Sequence, residues 1–353
     1  MKFGLFGGAK SAGEGPSGEG WASDSLGYKR YIDFVLTAEE LGYHSLFVVE
    51  HHFTGVGQVS ASLNFLSYLA GRTSRMRLGT AVVVLPWHNP ALLAEQVATL
   101  DLVSDGRFDF GVGKGYRETE FAGFCIPIEE ATDRFDETMD FLRTAWAAPG
   151  RFSYRGKRWR YDDIVIEPRP VQQPHPPFWM AAGSVESIRK AAREDYNLLL
   201  DQIAPIGLIC ERVQIYKDER ARAGRSTRPH QIAVARALQL VRTEAERAQA
   251  LELRTKVLRA IGGLARGPGA ERYHNIATHA DPNLATEESA LLGRPEEIIA
   301  RLAKLEAGGV DYVLLVDPTG STESLRFFAK EIMPAFATEP DSFKSISSTH
   351  AST

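Results

Sequence analysis

The sequence predicts an α/β fold closed into a (β/α)8 TIM barrel, and three observations predict it. Apolar runs of strand length alternate with segments of helical periodicity from the first residues almost to the last. Eight such runs can be counted, beginning near residues 2, 45, 76, 107, 177, 198, 232 and 312. No linker of domain-separating length interrupts them, and barrels of about 250 residues or more are common as single domains. The 353-residue chain is therefore expected to form one domain over residues 1–336, with rim insertions at about 7–27, 151–170 and 263–293, and a flexible Ser/Thr-rich tail over 337–353.

Lys2–Phe6 is the first strand, and the Gly- and Ser-rich stretch Gly7–Gly27 is expected to be a long loop. Tyr31, Phe34, Val35, Ala38 and Leu41 recur at helical spacing, with Gly42 placed to end that helix. Ser45–Val49 is a nearly unbroken apolar run, which suits a parallel strand buried on both faces, and it stops in Glu50-His51-His52. Ala61–Arg72 is the next helix and Met76–Pro86 the next strand. Asn89 before Pro90 marks a helix start, a capping side chain followed by a ring already fixed near helical φ, and Leu93, Val97, Leu100 and Val103 form its stripe. The strand from Arg107 runs into the glycine turn Gly111–Gly115, and Phe135, Met139, Leu142 and Trp146 stripe the helix beyond.

Residues 151–170 break the alternation with Tyr154–Lys157 and Trp159–Tyr161, the pattern of a small outer hairpin. The series resumes with a strand over Phe178–Ala182 and a helix from Val185, then a strand at Leu198–Leu200, a helix over Ile206–Ala223 and a strand over Ile232–Val241. Thr243 and Glu246 have capping-box spacing for another helix. Residues 263–293 lose periodicity and collect Gly, Pro, His and Asn, as an insertion or mobile loop would. Helix Pro295–Ala307, strand Tyr312–Val316 and helix Leu325–Met333 complete the chain.

Composition narrows the function. With 44% hydrophobic and 24% charged residues and a net charge of −4, nothing favours nucleic acid or an anionic membrane. The Arg-rich stretch from Arg212 to Arg228 is interspersed with Asp218 and Glu219, as on a solvated helix face. Cys125 and Cys210 fit neither a disulfide framework nor a metal spacing, and a cytoplasmic location is expected. Met1-Lys2 leads straight into Phe3–Phe6, without a signal peptide's apolar region.

In a barrel of this kind, chemistry belongs at the carboxyl ends of the strands. Glu50-His51-His52 stands at such an end. Successive strand side chains point to opposite faces, so the two imidazoles are a poor metal pair, no metal site is expected, and His51 is the favoured functional one. His88, His175, His230, His274 and His279 receive no role, and Cys125 is expected to be a small buried residue. Gly79, Thr80 and Ala81 are small enough for a flat aromatic ligand to approach the backbone. Two turns suit a phosphate: Gly111–Gly115, whose backbone N–H groups are joined by the Lys114 cation, and Gly183-Ser184 at a helix start. Phe53, Trp87, Tyr116, Phe121 and Gln202 are candidates to line a pocket for an apolar or aromatic guest.

Taken together, Glu50-His51-His52-Phe53-Thr54, Gly79-Thr80-Ala81 through Leu85-Pro86, Gly106-Arg107-Phe108 running into Gly111–Gly115, and Leu292-Gly293-Arg294-Pro295-Glu296-Glu297 resemble the bacterial luciferase-like flavin monooxygenases, in the same order and over roughly residues 1–336. The resemblance implies a barrel that binds reduced FMN at its mouth, receives it from a separate NAD(P)H:flavin reductase, forms a C4a-hydroperoxide with O2, and oxygenates a small, apolar organic substrate. It implies His51 as the acid/base and a cis Ala81–Val82 peptide beneath the flavin ring. It places Lys114 and Gly115 at the phosphate on one side, and Gly183, Ser184 and Ser187 on the other. It also implies a homodimer, and a mobile lid at 263–293 that keeps water from the reacting flavin. Two departures stand out: Gly113 replaces a reactive thiol and Gly183 an acidic residue, so light emission is not implied. The Gly-rich loop is also longer than in luciferase, so an aldehyde substrate is not implied either. Two other readings share the fold, a deazaflavin (F420) oxidoreductase that moves hydride without O2, and a non-catalytic luciferase-like partner subunit.

Overall fold

The computed structural model describes residues 1–10, 20–53, 58–264, 287–317 and 320–337. Within them, β1 (Lys2–Gly7) leads to α1 (Gly20–Glu40), β2 (Ser45–Val48), α2 (Ser62–Ala70), β3 (Arg77–Thr80), β4 (Val83–Val84) and α3 (Pro90–Val103). Then follow β5 (Phe108–Gly113), α4 (Glu118–Gly123), α5 (Ala131–Ala147), the hairpin β6 (Phe152–Arg155) and β7 (Arg160–Ile164), β8 (Phe178–Ala181) and α6 (Val185–Arg193). The last third holds β9 (Asn197–Leu200), α7 (Ile206–Arg222), β10 (Ile232–Leu240), α8 (Glu244–Leu264), β11 (Ala290–Gly293), α9 (Pro295–Ala307), β12 (Tyr312–Val316) and α10 (Thr322–Glu331).

Eight parallel strands close in the order β1-β2-β3-β5-β8-β9-β10-β12, and β12 returns to β1 with Lys2 opposite Tyr312. These are the eight strands counted in the sequence. Period-2 alternation divides the core into two layers. Inward side chains Phe47, Trp179, Leu199, Ala233, Tyr312 and Leu314 fill the lumen. Their strand neighbours, such as Val48, Leu198, Val234 and Val313, face the helices. Each large apolar side chain so buried contributes about 1.5–3 kcal/mol. The lumen is therefore a plug, and a ligand must sit above it.

Several expectations change. The Gly7–Gly27 loop is shortened by α1, which begins at Gly20; residues 11–19 lie outside the described residues. Packing overrides propensity there, since Tyr28 and Tyr31 set their rings against Phe65 at 5.4 and 6.2 Å. Met76–Pro86 is not one strand. Leu78 lies opposite Phe108 but Val83 opposite Val112, so one extra residue is accommodated between β3 and β4, as in a bulge. The stretch is apolar enough to read as one strand, and Gly79 is the local sign of the break. Gly79 makes room for the core rather than for a ligand, because a Cβ there would lie 2.6 Å from the Phe47 ring. At 263–293, α8 extends to Leu264 and β11 pairs with the last part of β10, Ala237 opposite Ala290. Its four residues are too few to register as periodicity. The rest of the expected lid, 265–286, lies outside the described residues, as does the tail from 338. Cys125 is exposed, on a left-handed turn at φ 55° that closes α4, and not buried. The outer hairpin is present, with Tyr154 edge-on to Phe141 at 5.1 Å.

Candidate active site

The carboxyl ends of the strands form the mouth, and the top of the lumen plug is its floor. Phe6, Ala81 and Val82 pack on the inward layer yet remain partly exposed. The Ala81–Val82 peptide is cis, as the family position implies. Gly113 at the end of β5 supports this floor from the side, since a Cβ there would meet Val82 Cγ2 at 2.4 Å.

Beside the floor stand two buried carboxylates and three imidazoles. Glu50 Oε1 accepts from His52 Nε2 and His88 Nε2, both at 2.9 Å, and Oε2 accepts from the Val84 N–H at 3.0 Å. Burial pushes the Glu50 carboxyl up, but the hydrogen bonds from His52, His88 and Val84 outweigh it and hold the group below its ordinary range. An ionised carboxylate only accepts, so both imidazoles carry a proton on Nε2. Glu120, on α4 and 3% exposed, accepts through Oε1 from His51 Nδ1 at 3.1 Å and from the His52 N–H at 2.9 Å. The Arg117 guanidinium lies 3.5 Å from the same oxygen. His51 thus carries its proton on Nδ1, and its Nε2 meets no partner among the described residues. The two neighbouring imidazoles turn to different acids, but β2 ends at Val48, so strand alternation does not reach them and the separation comes from the positions of Glu50 and Glu120.

Sequence reasoning missed Glu120 and His88. Glu118–Gly123 is too short for a stripe, and each contact joins segments far apart in the chain. One signal was available: Glu50, a carboxylate within a motif of imidazoles, needs donors.

The candidate pocket residues divide. Phe53, Trp87 and Phe121 come together around Phe124, which the sequence reading did not single out. Trp87 stacks on Phe124 at 5.2 Å and meets Phe121 edge-on at 5.4 Å, and His52 meets Phe124 at 4.8 Å. Phe53 is 62% exposed, with its ring 5.0 Å from that of Phe124, and forms an outer rim. Tyr116 is half-buried under the Arg117 guanidinium at 5.6 Å. Gln202 stands apart after β9, where its carbonyl accepts from Arg254 Nη2 at 2.8 Å.

The two glycine turns follow neighbouring strands, since β5 pairs with β8, Gly111 opposite Trp179. Lys114 is half-buried, with Nζ 3.4 Å from Thr132 Oγ1, and Gly115 takes φ 74°. Across from them Ser184 caps α6: its Oγ accepts from the Ser187 N–H, and Ser187 Oγ accepts from the Ser184 N–H, both at 3.2 Å. Both hydroxyls lie at the amino end of a nine-residue helix, where partial positive charge collects. Among the described residues no group of three or more His, Cys, Asp or Glu is arranged to hold a metal ion, and no helix is long and apolar enough to cross a membrane.

Residues 1–312 match the family model described as luciferase-like monooxygenase. The uncharacterized protein y4vJ of Sinorhizobium fredii is 34% identical over 182 residues, which are 50% of this chain and 52% of that protein. The match thus spans only about half the length of that relative. Over 88% of this chain and 90% of the other protein, it is 26% identical to the oxygenase component of a flavin-dependent trigonelline monooxygenase from Acinetobacter baylyi. An FMNH2-dependent dimethylsulfone monooxygenase from Pseudomonas putida is 27% identical over 79% of each chain. Among solved structures, the monooxygenase RslO1 from Streptomyces bottropensis superposes with a TM-score of 0.79 at 26% identity, over 96% of this chain and 100% of that one.

Proposed function

The chain belongs to the luciferase-like monooxygenase family, and we propose that it is an FMN-dependent monooxygenase. It would take reduced FMN from a separate NAD(P)H:flavin reductase and insert one atom of O2 into a small, apolar or aromatic organic substrate. The supporting observation is the pairing of a partly exposed apolar floor at Phe6, Ala81 and Val82 with a polar turn at Lys114, Ser184 and Ser187. A flat ring needs the first, and its phosphate tail needs the second. β4 lies beside β5 with Val84 opposite Gly113, so the floor leads directly into Lys114. The residues present therefore fit the cofactor. Two of the relatives named above are flavin- or FMNH2-dependent oxygenases, which supports the same choice.

Bound reduced FMN would supply the electrons that activate O2. His51, with its proton on Nδ1 toward Glu120, presents Nε2 as a proton acceptor at the edge of the mouth. Trp87, Phe121 and Phe124 make a close-packed wall that keeps water from the reacting groups. We also propose one barrel domain over residues 1–336 with a tail beyond, working as a homodimer in the cytoplasm. Free thiols at Cys125 and Cys210 suit a reducing compartment.

The test is oxygen uptake by cofactor-stripped protein mixed with reduced FMN, and separately with reduced F420. Uptake dependent on FMN, with label from isotopic O2 appearing in a product of the substrate screen, is expected. Tight F420 binding without oxygen consumption would move the reading to hydride transfer.

A further inference from the structure

The amino-terminal pole of the barrel, opposite the mouth, gathers ionisable side chains that the proposed chemistry does not use. Lys2 opens β1, His44 precedes β2, Arg77 opens β3, and His230 and Asp311 precede β10 and β12. Lys2 Nζ lies 3.1 Å from His44 Nε2. An ammonium only donates, and an amine holds its proton more tightly than an imidazole does, so Lys2 is the donor and the His44 lone pair the acceptor. His44 is therefore neutral, with its own proton on Nδ1.

Among the described residues no carboxylate pairs with His44, and each charge around it is engaged elsewhere. Arg77 faces it from β3, its fork closed on Asp109, Nε to Oδ2 at 2.7 Å and Nη2 to Oδ1 at 2.9 Å. Asp311 takes the His230 N–H at 2.9 Å, and Nδ1 of the His230 ring lies 3.3 Å from the same oxygen. From β12, Tyr312 sets its ring 5.6 Å from that of His44, and burial pushes its hydroxyl above the ordinary phenol range. Burial, and after it Lys2, Arg77 and His230, hold the His44 imidazole down to about 4. With both imidazoles neutral, Lys2 and Arg77 balance Asp109 and Asp311. A proton on His44 adds a positive charge 3.1 Å from that of Lys2.

These side chains sit on the seam that closes the barrel. The Lys2 N–H donates to the Asp311 carbonyl at 2.8 Å, the His44 N–H to the Phe3 carbonyl at 2.7 Å, and the Arg77 N–H to the His44 carbonyl at 3.0 Å, which laces β12, β1, β2 and β3 together at their starts. We propose that the Lys2–His44 contact is an acid-released latch: a proton on His44 drives it from Lys2, and the β12–β1–β2 seam parts at this pole while β5 and β8, across the barrel, stay paired. The folded-state value of His44 lies below the unfolded value near 6.5, so its stabilisation is fully present above about pH 6.5 and is lost as pH falls from there to about 4. Most of that window lies above the range in which carboxylates titrate. The latch involves no ligand, so its failure leaves the flavin reading standing.

Urea unfolding and amide hydrogen exchange, measured between about pH 7.5 and pH 5 on the full chain, His44→Gln and Lys2→Met, test this. His44→Gln keeps an acceptor for Lys2 and takes no proton, so relative to the unaltered chain its unfolding constant should fall by about tenfold over that range. In the unaltered chain, exchange in β1, β2 and β12 should rise relative to that in β5 and β8 as pH falls, and His44→Gln should abolish the difference. Lys2→Met removes the opposing cation but not the burial, and should flatten the acid limb in part. A limb of unchanged steepness in His44→Gln assigns it to other groups and overturns the latch, as does exchange that rises equally in all strands. Should His44→Gln fail to fold, Lys2→Met decides, and an unchanged limb there overturns the latch.

Discussion

The Glu120 carboxylate holds His51 Nδ1 and the His52 N–H and lies beside the Arg117 guanidinium, so it acts through His51 as a positioning residue. Glu120→Gln should lower kcat by about tenfold to a hundredfold, a fraction of what general acid–base help is worth, while the FMN dissociation constant stays put. Partial rescue by Glu120→Asp is expected; a matched loss of cofactor affinity would mean that Glu120 merely supports the fold. Glu50 makes a different prediction. Its folded-state pKa is depressed, so its stabilisation is fully present above the unfolded value near 4.5 and is lost as pH falls through the lower folded value. Glu50→Gln should cost about 1–3 kcal/mol at neutral pH and flatten the acid limb of the thermal midpoint below about pH 4.5. A parallel acid limb in the variant would assign that limb to other carboxylates. At this scale the sequence exposes Glu50 and His51, because a cluster of ionisable groups at the end of an apolar run is a local pattern. It hides Glu120, His88 and Phe124, whose meaning arises only when α4, the end of β2 and the turn after β4 meet over the mouth.

Elements were legible wherever burial repeats with a fixed period. Asn89 caps α3 as its position before Pro90 required, its Oδ1 accepting from the Ala91 and Leu92 N–H groups at 3.0 and 3.1 Å. The eight barrel strands were found because they are apolar on both faces. Elements defined by something other than period escaped: α4 has six residues and β11 has four, and of α1 only the second half was legible, because it opens in a Gly-containing stretch. The turns that would hold a phosphate are legible as glycine after strand, yet their pairing comes from β5 lying beside β8. If Lys114 and the α6 start act together on one phosphate, Lys114→Ala combined with Ser184→Ala should weaken FMN by more than either change alone, to about a hundredfold, and spare riboflavin. Unchanged FMN binding in the double variant would place the phosphate elsewhere.

Across the whole molecule, stability and chemistry occupy different levels of the same barrel. The lumen plug of Phe47, Trp179 and Tyr312 is closed, its rings meeting edge-on at 5.3 to 6.4 Å, and it lies beneath the floor rather than in the site. The wall of Trp87, Phe121 and Phe124 stands on the turn after β4 and on the short helix α4, and its outer member Phe53 is largely exposed. Removing volume from the two levels should therefore have separable effects. Trp179→Ala opens a cavity in a core that cannot collapse onto it, and should cost about 3–5 kcal/mol of stability. Phe124→Ala should leave the thermal midpoint nearly unchanged, since that ring is only half-buried, but it admits water to the mouth. Peroxide released per reduced flavin consumed is then expected to rise in Phe124→Ala and to stay low in whatever fraction of Trp179→Ala remains folded. Equal peroxide release in both would mean that the wall does not shield the flavin, and that water exclusion must come from a different part of the mouth.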